Sequence, residues 1–183
     1  MLPFGTIDTF NPNVSGVPVN AVAVQAADRG VLLGGTFSSI GGFTRANFGR
    51  VTATGAYDAS LTGVVNNTVF SILVQPDGNI LIGGAFTTVN GVGMIGMARV
   101  TSTGALDTTF TPLVNSTVNA MLLQTDGSIV VGGLFASVGG VTRNEVARVT
   151  STGALDTVFN PNVSTTGTVK ALALQSDGSV IIA

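Results

Sequence analysis

Four apolar runs of similar length recur along the chain, at residues 19–25, 69–75, 118–124 and 169–175, and each ends in glutamine. In the last three an Asp-Gly pair follows: Asp77-Gly78, Asp126-Gly127 and Asp177-Gly178. Asp-Gly between two apolar runs predicts a hairpin, because the turn needs a residue with positive φ. The first copy departs, with Asp28-Arg29-Gly30 and one extra residue. A second strand, 79–84 and its equivalents, ends on a glycine pair. A Gly-rich loop then leads to a third strand at 97–101, with sister segments at 48–52 and 146–150. A Thr-Gly turn leads to a fourth strand near 106–110. No stretch has helical periodicity over eleven residues, and Pro12, Pro112 and Pro161 fall after the fourth strand, where they mark a unit boundary.

These strands belong to a repeat. Gly34-Gly35, Gly83-Gly84 and Gly132-Gly133 recur every 49 residues, as do Phe37, Phe86 and Phe135, then Arg50, Arg99 and Arg148, then Asp58, Asp107 and Asp156. Residues 98–108 are identical to residues 147–157, and Gly5 and Asp8 align with Gly55 and Asp58. Four short strands per unit of this length predict an all-β fold, a β-propeller built from four-stranded blades, with a β-solenoid as the alternative. The whole chain, 1–183, reads as one repeat domain: 1–16 closes a preceding blade, 17–63, 64–112 and 113–163 are three blades, and 164–183 is a partial one. The glycine pair predicts a close approach of neighbouring backbones. A phosphate-cradling loop is the other reading, but no Lys-Ser/Thr follows and no helix opens there.

The run from Gln75 through Pro76-Asp77-Gly78 to Gly83-Gly84-Ala85-Phe86, then Ala98-Arg99-Val100, then Leu106-Asp107-Thr108-Thr109-Phe110, resembles the delta-60-repeat β-propeller family. It is also distantly similar to kelch blades, with Phe standing where kelch has Trp. The resemblance covers essentially the whole chain. It implies a propeller fold and a setting in large bacterial exported or surface proteins, or in some phage proteins. It implies no agreed activity. Tyr57-Asp58-Ala59-Ser60-Leu61 departs from the pattern, so the first blade is expected to pack less regularly.

Composition narrows the chemistry. Of 183 residues only 16 are charged, 7 basic and 9 acidic, and there is no Cys and no His. A net charge of −2 without a basic cluster argues against nucleic acid. Thiol chemistry is excluded, and the usual metal ligand and general base is missing. No apolar run approaches the 18 or so residues of a membrane span. Thirteen of the charges fall on repeated positions; only Arg29, Glu145 and Lys170 stand alone. Repeated charges read as structural. The turn aspartates are expected to bond nearby N–H groups, and each third-strand Arg is expected to pair with the Asp eight residues on, across a hairpin. No Asp-x-Asp-x-Asp spacing supports a calcium ring, nothing singles out a pair of glycosidase carboxylates, and no Gly-x-Ser-x-Gly elbow is present. Lys170 would be a base only if burial lowered its pKa. We therefore expect no catalytic residue, no metal and no cofactor, and no enzyme.

Binding by exposed side chains is the remaining route. Phe37, Phe86, Phe135, Phe110 and Phe159 recur and read as core. Phe43, Phe48, Tyr57 and Phe70 do not recur and are candidate contact residues; the binding surface expected from these and the lone cation is Phe43, Tyr57, Phe70 and Lys170. Asn-x-Ser/Thr sequences at Asn13, Asn66, Asn115 and Asn162 matter only in a eukaryotic secretory host. The termini align with the interior of a blade, which leads us to expect a fragment of a longer array, or pairing of chains into a larger ring, ahead of a closed four-bladed ring. The functional expectation is a non-enzymatic scaffold or binding module of an extracellular, cell-surface or virion-associated protein, acting in adhesion or assembly. Its partners would be protein, through self-assembly or a larger parent chain, with surface glycans as the alternative.

Overall fold

The computed structural model describes residues 10–161, 163 and 167–183. Gly5 and Asp8, which extend the repeat towards the N-terminus, and Asn162 lie outside the described residues. Sixteen strands and no helix occur among the described residues. Unit 1 contains β1 (Val14–Val24), β2 (Val31–Ile40), β3 (Phe43–Thr44) and β4 (Phe48–Val51). Unit 2 contains β5 (Val69–Val74), β6 (Ile80–Gly84), β7 (Thr88–Val89), β8 (Val92–Gly93) and β9 (Met97–Val100). Unit 3 repeats that pattern with β10 (Thr117–Leu123), β11 (Ile129–Leu134), β12 (Ser137–Val138), β13 (Val141–Thr142) and β14 (Val146–Val149). A last hairpin is β15 (Leu172–Leu174) with β16 (Val180–Ile182).

Within a unit the second strand is central. β6 pairs antiparallel with β5 on one side (Ile72 opposite Ile82) and with β9 on the other (Ile82 opposite Ala98). β11 does the same with β10 and β14, and β2 with β1 and β4. The turn Pro76-Asp77-Gly78 joins β5 to β6, with Gly78 at φ +85°. Gln75 N–H donates to the Asn79 carbonyl at 2.8 Å, closing a three-residue loop. In unit 1 the extra residue puts Arg29 at φ +59° instead.

The fourth strand is minimal. Leu106 bridges Val100, Leu155 bridges Val149 and Tyr57 bridges Val51, each as a single pair. Asp107 N–H then donates to the Arg99 carbonyl at 2.9 Å. The Asp107 carboxylate takes the N–H of Thr109 at 2.9 Å, which turns the chain out of the sheet. The Gly-rich loop between second and third strands proves to be structured as well: Val89 pairs with Val92 in β7–β8, and Val138 with Val141 in β12–β13.

The core sits between units rather than within them. Ile80 and Ile82 point to one face of β6 and pack with Leu32 and Phe48 of unit 1, while Leu81 points to the other face and packs with Val118 and Ile129 of unit 3. Both faces of the second strand are thus covered, which is why it reads as an unbroken apolar run rather than an alternation. Consecutive first strands lie side by side, β1 against β5, β5 against β10 and β10 against β15. They form the inner row, and the β7–β8 hairpin and its counterparts the outer edge.

The glycine pair is explained residue by residue. A Cβ on Gly83 would meet Val118 Cγ1 at 3.0 Å, and on Gly132 would meet Val169 Cγ1 at 2.4 Å, so the first glycine admits the valine of the next unit. A Cβ on Gly84 would sit 2.1 Å from the Thr68 carbonyl oxygen, and on Gly133 2.1 Å from that of Thr117. The second glycine therefore receives the backbone of its own first strand, at the bulge where the register shifts between Val69 and Ser71. Unit 1 is the less regular one: β1–β2 shifts register three times.

Candidate functional site

The repeated charges build one arrangement three times. Arg50 Nε donates to Asp58 Oδ2, Arg99 Nε to Asp107 Oδ2 and Arg148 Nε to Asp156 Oδ2, each at 2.8 Å. The pairs cross from the third strand to the start of the fourth, as the eight-residue interval predicts. The guanidinium also covers an aromatic ring: Arg99 lies 4.6 Å from the Phe110 centroid and Arg148 4.9 Å from that of Phe159. It links units too, since Arg50 Nη1 donates to the Ser102 carbonyl and Arg99 Nη1 to the Ser151 carbonyl, in the following unit. In unit 1 Leu61 is buried where Phe110 stands in unit 2, and Ser60 replaces Thr109 at the Asp58 carboxylate.

These aspartates are held in the ionised form. Asp58 and Asp107 have lowered pKa values, chiefly because the hydroxyls of Ser60 and Thr109 donate to them. Asp156 is lowered chiefly by the hydrogen bond from Arg148. Asp126 and Asp177, in the turns, are lowered by the N–H groups of Ser128 and Ser179. Asp58, Asp107 and Asp156 have both carboxylate oxygens engaged within their own unit.

Open clefts are also present among the described residues, and two of them are large. The first lies where the first-strand turns converge, and measures about 880 Å³. The ends of three inner strands reach it through Val24, Val74 and Leu123. Its polar lining includes Gln25, Asp28, Gln75, Asp77 and Ser102. Arg50 Nη1 donates to Gln25 Oε1 at 2.8 Å beneath it. Asp28 and Asp77 take the N–H groups of Gly30 and Asn79 through one oxygen each. The buried Oε1 of Gln75 has no hydrogen-bond partner among the described residues. The second cleft, about 630 Å³, lies at the outer edge between unit 2 and residues 113–115 of the next unit and is mostly apolar, with Thr87, Thr108, Thr111 and Asn115 as its polar lining.

The four predicted contact residues fall in two places. Phe43, 59 % exposed, is on β3 at the outer edge and stacks on Tyr57 with centroids 5.0 Å apart. Phe70 and Lys170 are on the inner row, at the bulge position also held by Asn20 and Asn119. Phe70 is half-buried and Lys170 exposed. Asn119 Nδ2 bonds the Val169 carbonyl of the next unit at 2.8 Å, so this position serves inter-unit contact in at least one copy. Phe48 is corrected: it is fully buried, because its counterparts Met97 and Val146 are also core and only the identity varies. Glu145, the single unrepeated acid, is buried at φ +63° and accepts the Gly167 N–H through Oε1. The asparagines of two Asn-x-Ser/Thr sequences have a structural role that the sequence did not suggest. Asn66 Oδ1 accepts the N–H groups of Thr87 and Thr88, and Asn115 Oδ1 those of Ala136 and Ser137, capping the entry to each outer hairpin. Among the described residues, no three His, Cys, Asp or Glu side chains gather where they could hold a metal ion.

Comparison with known proteins follows the same lines. Residues 75–110 and 124–159 match the family model described as a domain of unknown function (DUF5122) beta-propeller. No curated protein matches the chain. Among solved structures, the extracellular domain of a one-component system from B. thetaiotaomicron aligns over 100 % of this chain, with 18 % identity and a TM-score of 0.53. A protein of unknown function from Bacteroides caccae aligns over 94 % at 18 % identity and a TM-score of 0.46. The WD40 beta propeller domain of Doa1 aligns over 90 % at 14 % identity and a TM-score of 0.40. The chain spans 21 %, 54 % and 74 % of these three in turn. The matched segments fall on units 2 and 3, each running from the end of the first strand to the aromatic under the arginine. With the second strands of units 2 and 3 covered on both faces and its first strands ranked along one inner row, the chain is a β-propeller.

Proposed function

We propose that the chain is a non-enzymatic binding scaffold, with repeats of the delta-60 kind, from an exported or cell-surface protein, and that it acts in adhesion or assembly. The observation that carries this reading is the use of its charges. Every arginine of the set Arg50, Arg99 and Arg148 is consumed by an aspartate of its own unit. Recognition is then left to neutral polar groups and exposed apolar ones. An extracellular location is supported by the B. thetaiotaomicron structure, itself described as an extracellular domain.

A second reading, carbohydrate binding, is favoured by the cleft at the converging turns. Gln25, Gln75, Ser102 and the carboxylates of Asp28 and Asp77 line it with polar groups suited to hydroxyls, although Asp77 Oδ2 already accepts from Asn79 Nδ2 and Asp28 Oδ2 lies 3.8 Å from Arg50 Nη1. Light scattering over a concentration series, run beside a glycan array, separates the two. The scaffold reading expects a mass that rises above 18.3 kDa with concentration and background signal on the array. A constant 18.3 kDa particle that retains one glycan class would replace it with the carbohydrate reading. Release of reducing ends from a retained glycan would end the non-enzymatic one.

A further inference from the structure

The three units act as internal controls for one another, and among the differences of unit 2 from both sisters is the residue at position 94. In unit 1 the outer edge carries an aromatic pair and an arginine. Phe43 stacks on Tyr57, and Arg45 lies beside them, half-buried, with Nε donating to the Phe48 carbonyl at 2.8 Å and Nη2 to the Gly63 carbonyl. Burial lowers the pKa of that guanidinium, which marks how far it is withdrawn from water. In unit 3 the equivalent Arg143 is buried and donates to the carbonyls of Thr142 and Thr157.

Unit 2 has Met94 where the others have arginine, and Val92 and Leu106 where unit 1 has Phe43 and Tyr57. The outer cleft of about 630 Å³ opens here. Its floor is Met97, fully buried, and its walls include Val92, Met94, Ile95, Leu106 and Leu113. Among the described residues, no charged side chain lines it. Leu113 and Ile95 are 68 % and 46 % exposed, so the apolar rim faces water. A cleft of this size, apolar with a few hydroxyls from Thr87, Thr108 and Thr111, has the build of a small-molecule site.

We propose that this cleft binds a small uncharged aromatic molecule. The ligand's ring takes the place that the Phe43–Tyr57 stack holds in unit 1, against the partly exposed Met94 thioether, which favours aromatic contacts, with Met97 buried directly beneath. The absence of charge selects against carboxylates and amines, whose desolvation nothing in the cleft would offset. The inference goes beyond the scaffold reading and stands without it.

The methionines make the test direct. Only Met1, Met94, Met97 and Met121 occur in the chain. Methyl-labelled protein is titrated with p-cresol and followed by NMR. The expected result is a saturable shift of the Met94 and Met97 methyls together, with a dissociation constant of about 1 mM or below, while Met121, packed at Gly83 in the interior, stays in place. Benzoate and benzylamine should bind at least tenfold more weakly. M94R installs the residue of the sister units and should weaken p-cresol at least tenfold. L113N is the second variant: Leu113 has φ +51°, a backbone that asparagine accepts more readily than leucine. It should fold as well as the parent and bind several-fold more weakly. No saturable shift up to the solubility of p-cresol would overturn the proposal, as would unchanged binding in both variants. Met94 and Met97 shifts that appear on concentrating the protein alone would assign the cleft to a second copy and overturn it equally.

Discussion

At the scale of single residues, the arginine of the third strand does more than the charge count suggests. Arg99 holds Asp107, covers Phe110 and reaches the carbonyl of Ser151 in unit 3, and its side chain is only 13 % exposed. An exposed ion pair contributes about 0–1 kcal/mol. Removal of a partly buried partner that leaves a carboxylate and a carbonyl short of donors costs more. R99A is therefore expected to lower unfolding free energy by about 2–4 kcal/mol, and R99K to recover less than half of the loss, because an ammonium lacks the fork that meets the Asp, the ring and the carbonyl at once. Urea unfolding of the three proteins measures both. The aspartates add a pH dependence. Asp58, Asp107 and Asp156 have folded pKa values below their unfolded ones, so their contribution is fully present above about pH 4–5, the unfolded carboxylate range. It is lost as the pH falls through the lowered folded values. Thermal melts should be flat from pH 7 to about 5 and drop below about 4, and D107N should shrink that drop while costing stability at pH 7.

Elements show which parts of this were legible in the sequence and which were not. The hairpins at Asp77-Gly78 and Asp126-Gly127 were readable because the turn chemistry is local, and the Arg–Asp pairs because eight residues span one tight hairpin. Phe48 was not, since a residue that differs between copies can still be core when its counterparts, Met97 and Val146, are equally apolar. The β7–β8 hairpin escaped because two-residue strands carry no periodicity, and its stabilising group, Asn66, lies some twenty residues away. Nor could the sequence reveal that the paired glycines have different duties. That difference yields a prediction. In G84A the new methyl would collide with the Thr68 carbonyl, a backbone atom fixed by its own bond to Ala85 N–H at 2.9 Å. We expect a loss of about 3 kcal/mol or more. In G83A it meets side chains rather than backbone, Val118 Cγ1 at 3.0 Å and Met121 Sδ and Cε at 3.3 and 3.4 Å, which need give by only a few tenths of an ångström, and alanine restricts the unfolded chain. That variant should stay within about 1 kcal/mol of the parent. Denaturant midpoints that fall equally for both would show that the two close approaches do not differ.

At the scale of the whole molecule, stability is shared between neighbours, since each apolar cluster joins one unit to the next. β6 is fully buried from Ile80 to Gly84, and β11 from Ile129 to Gly133, because each stands between two other units. β16 has no such position: it pairs with β15, no described strand pairs with its other edge, and Ile181 is 51 % exposed. In a repeat chain, local opening depends on the contacts on either side. Hydrogen exchange should therefore be graded along the chain. Amides of β6, β9, β11 and β14 are expected to exchange last and together, through global unfolding. Those of β15 and β16 should exchange earlier by orders of magnitude, through fraying that leaves units 2 and 3 intact. V169A sharpens the test. Val169 is buried against Val130 and Val146 and fills the space over Gly132, so its truncation removes a link between unit 3 and the last hairpin. It should speed exchange in β15–β16 and leave β6 unchanged. Exchange that accelerates in β6 to the same extent would mean that the units open as one body, and that their coupling exceeds what nearest-neighbour packing supplies.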